Sequence, residues 1–211
     1  IPGGNFELAA GDVISFIAPV RDGRKFLKRN GFHTHQVKSC IIVGGGRAAY
    51  YLGKRLIELG ISVQIVENKK ERCEELSVLL PQAIVVNGDG TSEELLNEIG
   101  ITTTESLVPL TGIDEENIML TLYAKEVSDA KVVTKINRIT YTGVIDQLDL
   151  GSVVYPKYIT SEAIIAFVRS KTATMNNNIE TMIHLFDERV EALEFVVGDQ
   201  SPVVNVPLAD L

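Results

Sequence analysis

The segment Gly44-Gly45-Gly46-Arg47-Ala48-Ala49 carries the clearest chemistry in this sequence. Gly44-x-Gly46-x-x-Ala49 has the G-x-G-x-x-G/A spacing, with the apolar run Cys40-Ile41-Ile42-Val43 before it and a helical pattern after it. In that setting Gly44 permits a tight turn, Gly46 lets a pyrophosphate approach the backbone, and Ala49 is small enough for helix and strand to pack closely. The free N–H groups where the helix starts, around Arg47 and Ala48, donate hydrogen bonds to phosphate. The Arg47 side chain either reaches that phosphate or points to solvent. Glu67 ends the next apolar run, 23 residues beyond Gly44, with Asn68 beside it. A carboxylate there accepts hydrogen bonds from ribose hydroxyls and repels a 2′-phosphate, which favours NAD or an adenine nucleotide over NADP. Lys69 and Lys70 work against that preference.

Two more segments fall at the carboxyl ends of strands, where open α/β sheets bind ligands. They are Asn87-Gly88-Asp89-Gly90-Thr91 and Leu110-Thr111-Gly112-Ile113-Asp114-Glu115-Glu116-Asn117. Asp89 either bonds a ribose or bonds its own backbone in the Gly-Asp-Gly turn. Thr111 either contacts a ribose or phosphate or caps the helix that follows. Asp114 and Glu115 suit the start of that helix. Lys135 and Arg138 either neutralise phosphates or pair with nearby acids.

Elements that place these residues alternate along residues 38–156. Strands are expected at 40–43, 62–66, 83–86, 106–110, 131–136 and 152–155. Helices are expected at 47–60, 69–80, 91–99, 114–127 and 141–148, with Thr91-Ser92-Glu93-Glu94 as a capping box. Pro109 weakens the fourth strand. Six short, uninterrupted apolar runs separated by helices read as a doubly wound parallel sheet, α/β and Rossmann-like. Residues 1–37 hold two short apolar runs, Phe6–Ala9 and Val13–Ile17, around Ala10-Gly11-Asp12, which suggests a hairpin, and then a basic stretch, Arg21 to Arg29. That zone is too small for its own core. Ile159 to Lys171 reads as a helix, 174–178 as a break, and 179–197 as strands of a domain the sequence does not finish.

Bulk properties exclude several classes. The 211 residues are 45% hydrophobic, enough for a buried core. Twenty Lys and Arg against 28 Asp and Glu give a formal charge of −8, which opposes nucleic-acid binding. Cys40 and Cys73 form no metal or disulfide pattern, in keeping with a reducing cytoplasm. No apolar run is long enough to span a bilayer. The start at Ile1 and the unfinished end read as a fragment of a longer protein, so a missing targeting signal says little. His33-Thr34-His35 resembles a metal pair without a third ligand. Tyr50-x-x-x-Lys54 has the spacing of a short-chain dehydrogenase pair, but it sits behind the phosphate loop.

Taken together, the Gly44 loop, Glu67, Gly88-Asp89-Gly90-Thr91, Asp114-Glu115-x-Asn117, Lys135-Ile136-Asn137-Arg138 and Tyr155-Pro156-Lys157 followed by Ser161-Glu162-Ala163 resemble the RCK family, also called KTN or TrkA-N domains. The resemblance covers residues 38 to about 172. Leu8-Ala9-Ala10-Gly11-Asp12-Val13-Ile14 resembles the closing hairpin of the small α+β RCK-C (TrkA-C) domain, and 180–211 resembles the opening of another. This divides the chain into a TrkA-C tail (1–37), a TrkA-N domain (38–156), a crossover helix and linker (157–178) and a second TrkA-C start (179–211). The departure from the pattern is Ala49 followed by Tyr50 and Tyr51, which either pack on the sheet or crowd the loop.

The resemblance implies a nucleotide-sensing regulatory subunit of potassium uptake rather than an enzyme. Its ligand would be NAD or NADH, with ATP or ADP as alternatives. Its partners would be a second copy, through the crossover helix face Ile159, Ala163, Ala166 and Phe167, and a TrkH-like K+-translocating membrane subunit. That places it in the cytoplasm, peripheral to the inner face of the membrane. The site residues it implies are Gly44, Gly46, Arg47, Ala48 and Ala49 in the loop, Glu67 and Asn68, Asp89 and Gly90, Thr111, and Lys135. Other readings are half of an NAD-dependent dehydrogenase, for which no histidine lies in the sheet domain, and a degenerate domain that acts only as an assembly scaffold.

Overall fold

The computed structural model describes residues 5–12, 14, 16–32, 36–138, 142–145, 147–172, 178–185, 190–199 and 201–207. Residues up to Val37 form one compact unit and residues from Lys38 onward a second.

In the first unit the turn expected at Ala10-Gly11-Asp12 forms. Asp12 N–H donates to Ala9 O at 3.2 Å, the Asp12 carboxylate accepts from Ala9 N–H at 2.8 Å, and Gly11 has φ +96°. The expected hairpin is not seen among the described residues, because Phe6–Ala9, Ile14, Phe16 and Ile17 are not in strands and Val13 and Ser15 lie outside them. A lone two-stranded hairpin is marginal in water without a further layer to pack on. The basic stretch forms helix α1 (Val20–Arg29). Its cations Arg21, Arg24, Lys25 and Lys28 share one side at helical spacing, and Phe26 on the other side packs at a tilt against Phe16 with ring centroids 4.9 Å apart. His33, Thr34 and His35 lie outside the described residues.

The second unit is built in the expected alternation. Its elements are β1 (Ser39–Val43), α2 (Arg47–Glu58), β2 (Ser62–Glu67), α3 (Lys70–Leu79), β3 (Ile84–Asn87), α4 (Glu93–Glu98), β4 (Ser106–Pro109), α5 (Asp114–Val127), β5 (Lys131–Lys135), α6 (Thr142–Ile145), β6 (Ser152–Val154) and α7 (Pro156–Thr172). The six strands form one parallel sheet in the order β3-β2-β1-β4-β5-β6, so the doubly wound reading is confirmed. An antiparallel pair, β7 (Asn178–Leu185) and β8 (Val190–Val196), follows.

Strand alternation divides the core in two. Cys40 and Ile42 of β1 join Val63, Ile65, Leu76 and Ala49, whereas Ile41 and Val43 join Leu96, Leu107, Leu120 and Ala124. Both faces of β1 are covered over Cys40–Val43, which is why that stretch is uniformly apolar. Pro109 is tolerated because it is the last residue of β4, beyond the ladder to β5 that ends at Leu107.

Three of the boundary differences have local reasons. Ser92, not Thr91, caps α4 by accepting from Leu95 N–H at 3.4 Å, because Thr91 is turned back onto Asp89. Helix α7 begins at Pro156, three residues before the apolar pattern, since proline is compatible with a first helical position. Helix α6 is confined to Thr142–Ile145 and followed by a turn at Gln147, with Tyr141 and Asp146 outside the described residues. Among the described residues no helix is long and apolar enough to cross a membrane.

Candidate functional site

The sheet order reverses between β1 and β4, which places the ends of β2, β1, β4 and β5 around one crevice. The glycine loop lies at its centre, and its three glycines have three different reasons to be glycine. Gly44 has φ +102°, and a Cβ there would stand 2.9 Å from Leu110 O. Gly45 has no room, since a Cβ would meet Leu76 Cδ1 at 2.7 Å and Glu67 Oε2 at 2.9 Å. Gly46 has open space in front of it, with φ −67° and ψ −174° at the N-cap of α2. Only Gly46 keeps its surface free for a ligand. Ala49 is fully buried in the core between α2 and the sheet, as its small size suggested. Tyr50 packs against that same core and Tyr51 is exposed; neither lines the crevice, so they do not crowd the loop.

Glu67 stands at the end of β2 with both carboxylate oxygens engaged. Oε2 accepts from Gly45 N–H at 2.7 Å and Oε1 accepts from Lys69 N–H at 2.9 Å. The carboxylate is thereby held at the crevice rim before any ligand arrives. Arg72, in the first turn of α3, donates from Nε to Gly45 O at 2.7 Å and from Nη1 to Glu75 at 2.6 Å. Sequence reasoning missed Arg72. The available signal was a cation one turn after the β2 acid, where the start of α3 leads back toward the loop.

Asp89 makes the backbone turn. Its Oδ1 accepts from Thr91 N–H at 2.9 Å and from the Thr91 hydroxyl at 2.7 Å. The Thr91 N–H first, and then its hydroxyl, hold the Asp89 carboxyl below its ordinary pKa. Gly90 packs so closely under the loop that a Cβ would stand 2.3 Å from Val43 Cγ1.

Thr111 is tied to a buried network. Its N–H donates to Asn117 Oδ1 at 2.9 Å, its hydroxyl lies 2.9 Å from the same oxygen, and Ile113 N–H donates to that hydroxyl at 3.2 Å. Asn117 is fully buried and also donates from Nδ2 to Lys135 O at 3.0 Å, joining the ends of β4 and β5. Lys135 Nζ donates to Leu110 O at 3.2 Å; burial pulls its pKa down, against the opposing attraction of Asp114. Arg138 pairs with acids, Glu115 at 2.7 Å and Asp114 at 3.5 Å, and does not face the crevice.

Asp114 is 8% exposed and accepts from Asn137 N–H, Asn137 Nδ2 and Arg138 N–H at 2.9–3.0 Å. Burial alone would raise its pKa, but these bonds together outweigh burial and hold it below the ordinary aspartate value. Its stabilising contribution is therefore present above about pH 4, the ordinary value, and lost as pH falls through the lower folded value. Asp114→Asn is expected to melt lower at pH 7 and to show a flatter fall in Tm between pH 5 and 2 than the parent. Parallel acid limbs in the two proteins would contradict this.

The crevice has a volume of 680 Å³. Of the residues expected at the site it brings together Gly44, Gly46, Glu67, Asn68, Asp89, Gly90, Thr111 and Lys135, and it adds Gly45, Lys69, Arg72 and Glu116. Arg47 and Ala48 are exposed on the first turn of α2 and do not line it, and Ala49 lies behind it. Val43, Val66 and Leu110 give an apolar floor. A rim of free backbone donors, an oriented carboxylate and three cations, Lys69, Arg72 and Lys135, above such a floor suits a ligand with a flat apolar ring, a sugar and phosphates.

The sequence pattern described as the TrkA-N domain matches residues 40–156. The Trk system potassium uptake protein TrkA of Halomonas elongata is 30% identical over 211 residues, covering 100% of this chain and 45% of that protein. The chain spans about half the length of the curated relatives it matches. Among solved structures, the Shewanella denitrificans Kef CTD in AMP-bound form has a TM-score of 0.56 at 18% identity, covering 65% of this chain and 83% of that one. The GsuK channel bound to NAD has a TM-score of 0.50 at 14% identity, covering 78% of this chain and 29% of that one. These two likenesses are of fold.

Proposed function

The chain belongs to the TrkA-N domain family, and from that premise we propose that it is the nucleotide-sensing part of a regulatory subunit for potassium uptake. The observation that carries this reading is the shared crevice of the Gly44–Gly46 loop and Glu67. The ligand is NAD or NADH, with ATP or ADP as the alternative class. Its pyrophosphate lies on Gly46 and the start of α2, and its adenosine ribose bonds to Glu67. Two fold neighbours, one in an AMP-bound form and one bound to NAD, support a nucleotide in this class of fold.

In this proposal nucleotide binding changes the relative stability of two arrangements of paired domains and so biases a membrane K+-translocating partner of the TrkH type. Pairing uses the α7 face of Ile159, Ala163, Ala166 and Phe167, of which Ile159, Ala163 and Phe167 are exposed. The protein would act in the cytoplasm at the inner membrane face. The turn before α1 and the β7–β8 hairpin would belong to TrkA-C domains before and after the sheet domain.

Isothermal titration with NAD, NADH, ATP and ADP tests the reading. Saturable binding is expected for at least one of them, and Glu67→Ala should weaken it at least about tenfold, the loss of a charged hydrogen-bond acceptor. No binding by any of the four would leave this domain as an assembly scaffold.

A further inference from the structure

Gly45 and Gly46 sit in tandem, and neither has a side chain that limits the rotation of the peptide between them. Local sterics therefore do not fix which way the Gly46 N–H points. A trans peptide directs N–H and C=O to opposite sides, so whatever holds the Gly45 carbonyl also aims the Gly46 amide. Arg72 Nε holds that carbonyl at 2.7 Å. The preceding peptide is fixed in the same manner by Glu67, which accepts from Gly45 N–H at 2.7 Å. Arg72 is itself ordered by Glu75 at 2.6 Å, with its side chain 22% exposed. Among the described residues Gly46 N–H has no partner, and the space before Gly46 is open.

We propose that Arg72 is a positioning residue for phosphate recognition: by bonding the Gly45 carbonyl it presents the Gly46 N–H to the ligand's phosphate. The inference rests on the nucleotide reading of the crevice. Gly45 O and Glu75 take Nε and Nη1 of the guanidinium. Arg72 also lines the crevice, and a direct contact from Nη2 to the phosphates is the alternative that the phosphate series and the Gly46 resonance distinguish. Lysine cannot replace Arg72, because a single ammonium on a flexible stem does not reproduce this two-nitrogen arrangement.

The test uses Arg72→Lys, which keeps the charge, and Glu75→Gln, which only loosens Arg72. Each is compared with the parent in thermal melting, in the amide resonance of Gly46 in ¹⁵N-labelled ligand-free protein, and in affinity for adenosine, AMP, ADP and ATP. The expected result is an unchanged melt, a displaced Gly46 resonance, unchanged adenosine affinity, and a loss of about tenfold for Arg72→Lys that is equal for AMP, ADP and ATP. Glu75→Gln should show the same pattern at smaller size. Four results would overturn the proposal: a loss growing with phosphate number, an equal loss for adenosine, an unmoved Gly46 resonance, or a melt lowered enough to make the role one of general stability. If the parent protein binds none of these four and neither NAD nor NADH, the nucleotide reading fails, and the Gly46 resonance still decides whether Arg72 orders the loop.

Discussion

Gly46→Val is expected to abolish nucleotide binding, by at least about a hundredfold, without lowering the stability of the ligand-free protein. The backbone at Gly46 has φ −67° and ψ −174°, which valine adopts without strain, and a Cβ there touches nothing within 4 Å. The added methyl groups project into the space that a pyrophosphate must occupy to reach the helix N–H groups. The contrast is Gly44→Val. There φ is +102° and a Cβ would stand 2.9 Å from Leu110 O, so the cost falls on folding, about 2–4 kcal/mol. Titration and thermal melting of both variants separate the two cases. A Gly46→Val protein that binds as well as the parent would remove the loop from the site. A Gly46→Val protein that melts as low as Gly44→Val would mean that the open space before Gly46 is structural.

Asn117→Ala should be strongly destabilising, by about 2–4 kcal/mol in urea denaturation. Asn117 is fully buried and joins three segments: it accepts from Thr111 N–H and donates to the carbonyls of Lys135 and, at 3.4 Å, Thr111. Alanine leaves those groups without partners and opens a small void. Ligand affinity should fall as well, because Thr111 and Lys135 line the crevice. A change below about 0.5 kcal/mol, the size of an ordinary surface substitution, would show that water or a shifted side chain replaces the network.

These two expectations mark the border between what sequence reading reaches and what it does not. The parallel sheet was legible because both faces of each central strand are buried, which leaves short apolar runs such as Cys40–Val43. The loop was legible because a turn, a close approach and a tight packing contact each restrict residue type within six consecutive positions. Glu67 followed from a fixed offset, since β1, α2 and β2 are rigid elements of regular length.

Where competition between partners decides a role, the sequence left alternatives. Asp89 was open between ribose and backbone; Thr91 takes Oδ1 for the turn, while Asp89 remains in the crevice lining. Thr91 is then unavailable as a cap, which moves the N-cap of α4 to Ser92. Arg138 was open between phosphate and acids, and Glu115 and Asp114 take it.

What this sequence determined alone is the alternating elements of residues 38–156, their doubly wound arrangement, and the loop and acid that meet at the crevice. These depend on backbone conformation and burial within short windows, where each residue's own steric and apolar character is decisive. Only the tertiary structure assigned Gly45, Arg72 and Asn117. Arg72 meets Gly45 across 27 positions of sequence, and Asn117 meets Lys135 across 18. Such contacts exist because β2 lies beside β1 and β4 beside β5. That adjacency is a property of the assembled sheet, and no single segment encodes it.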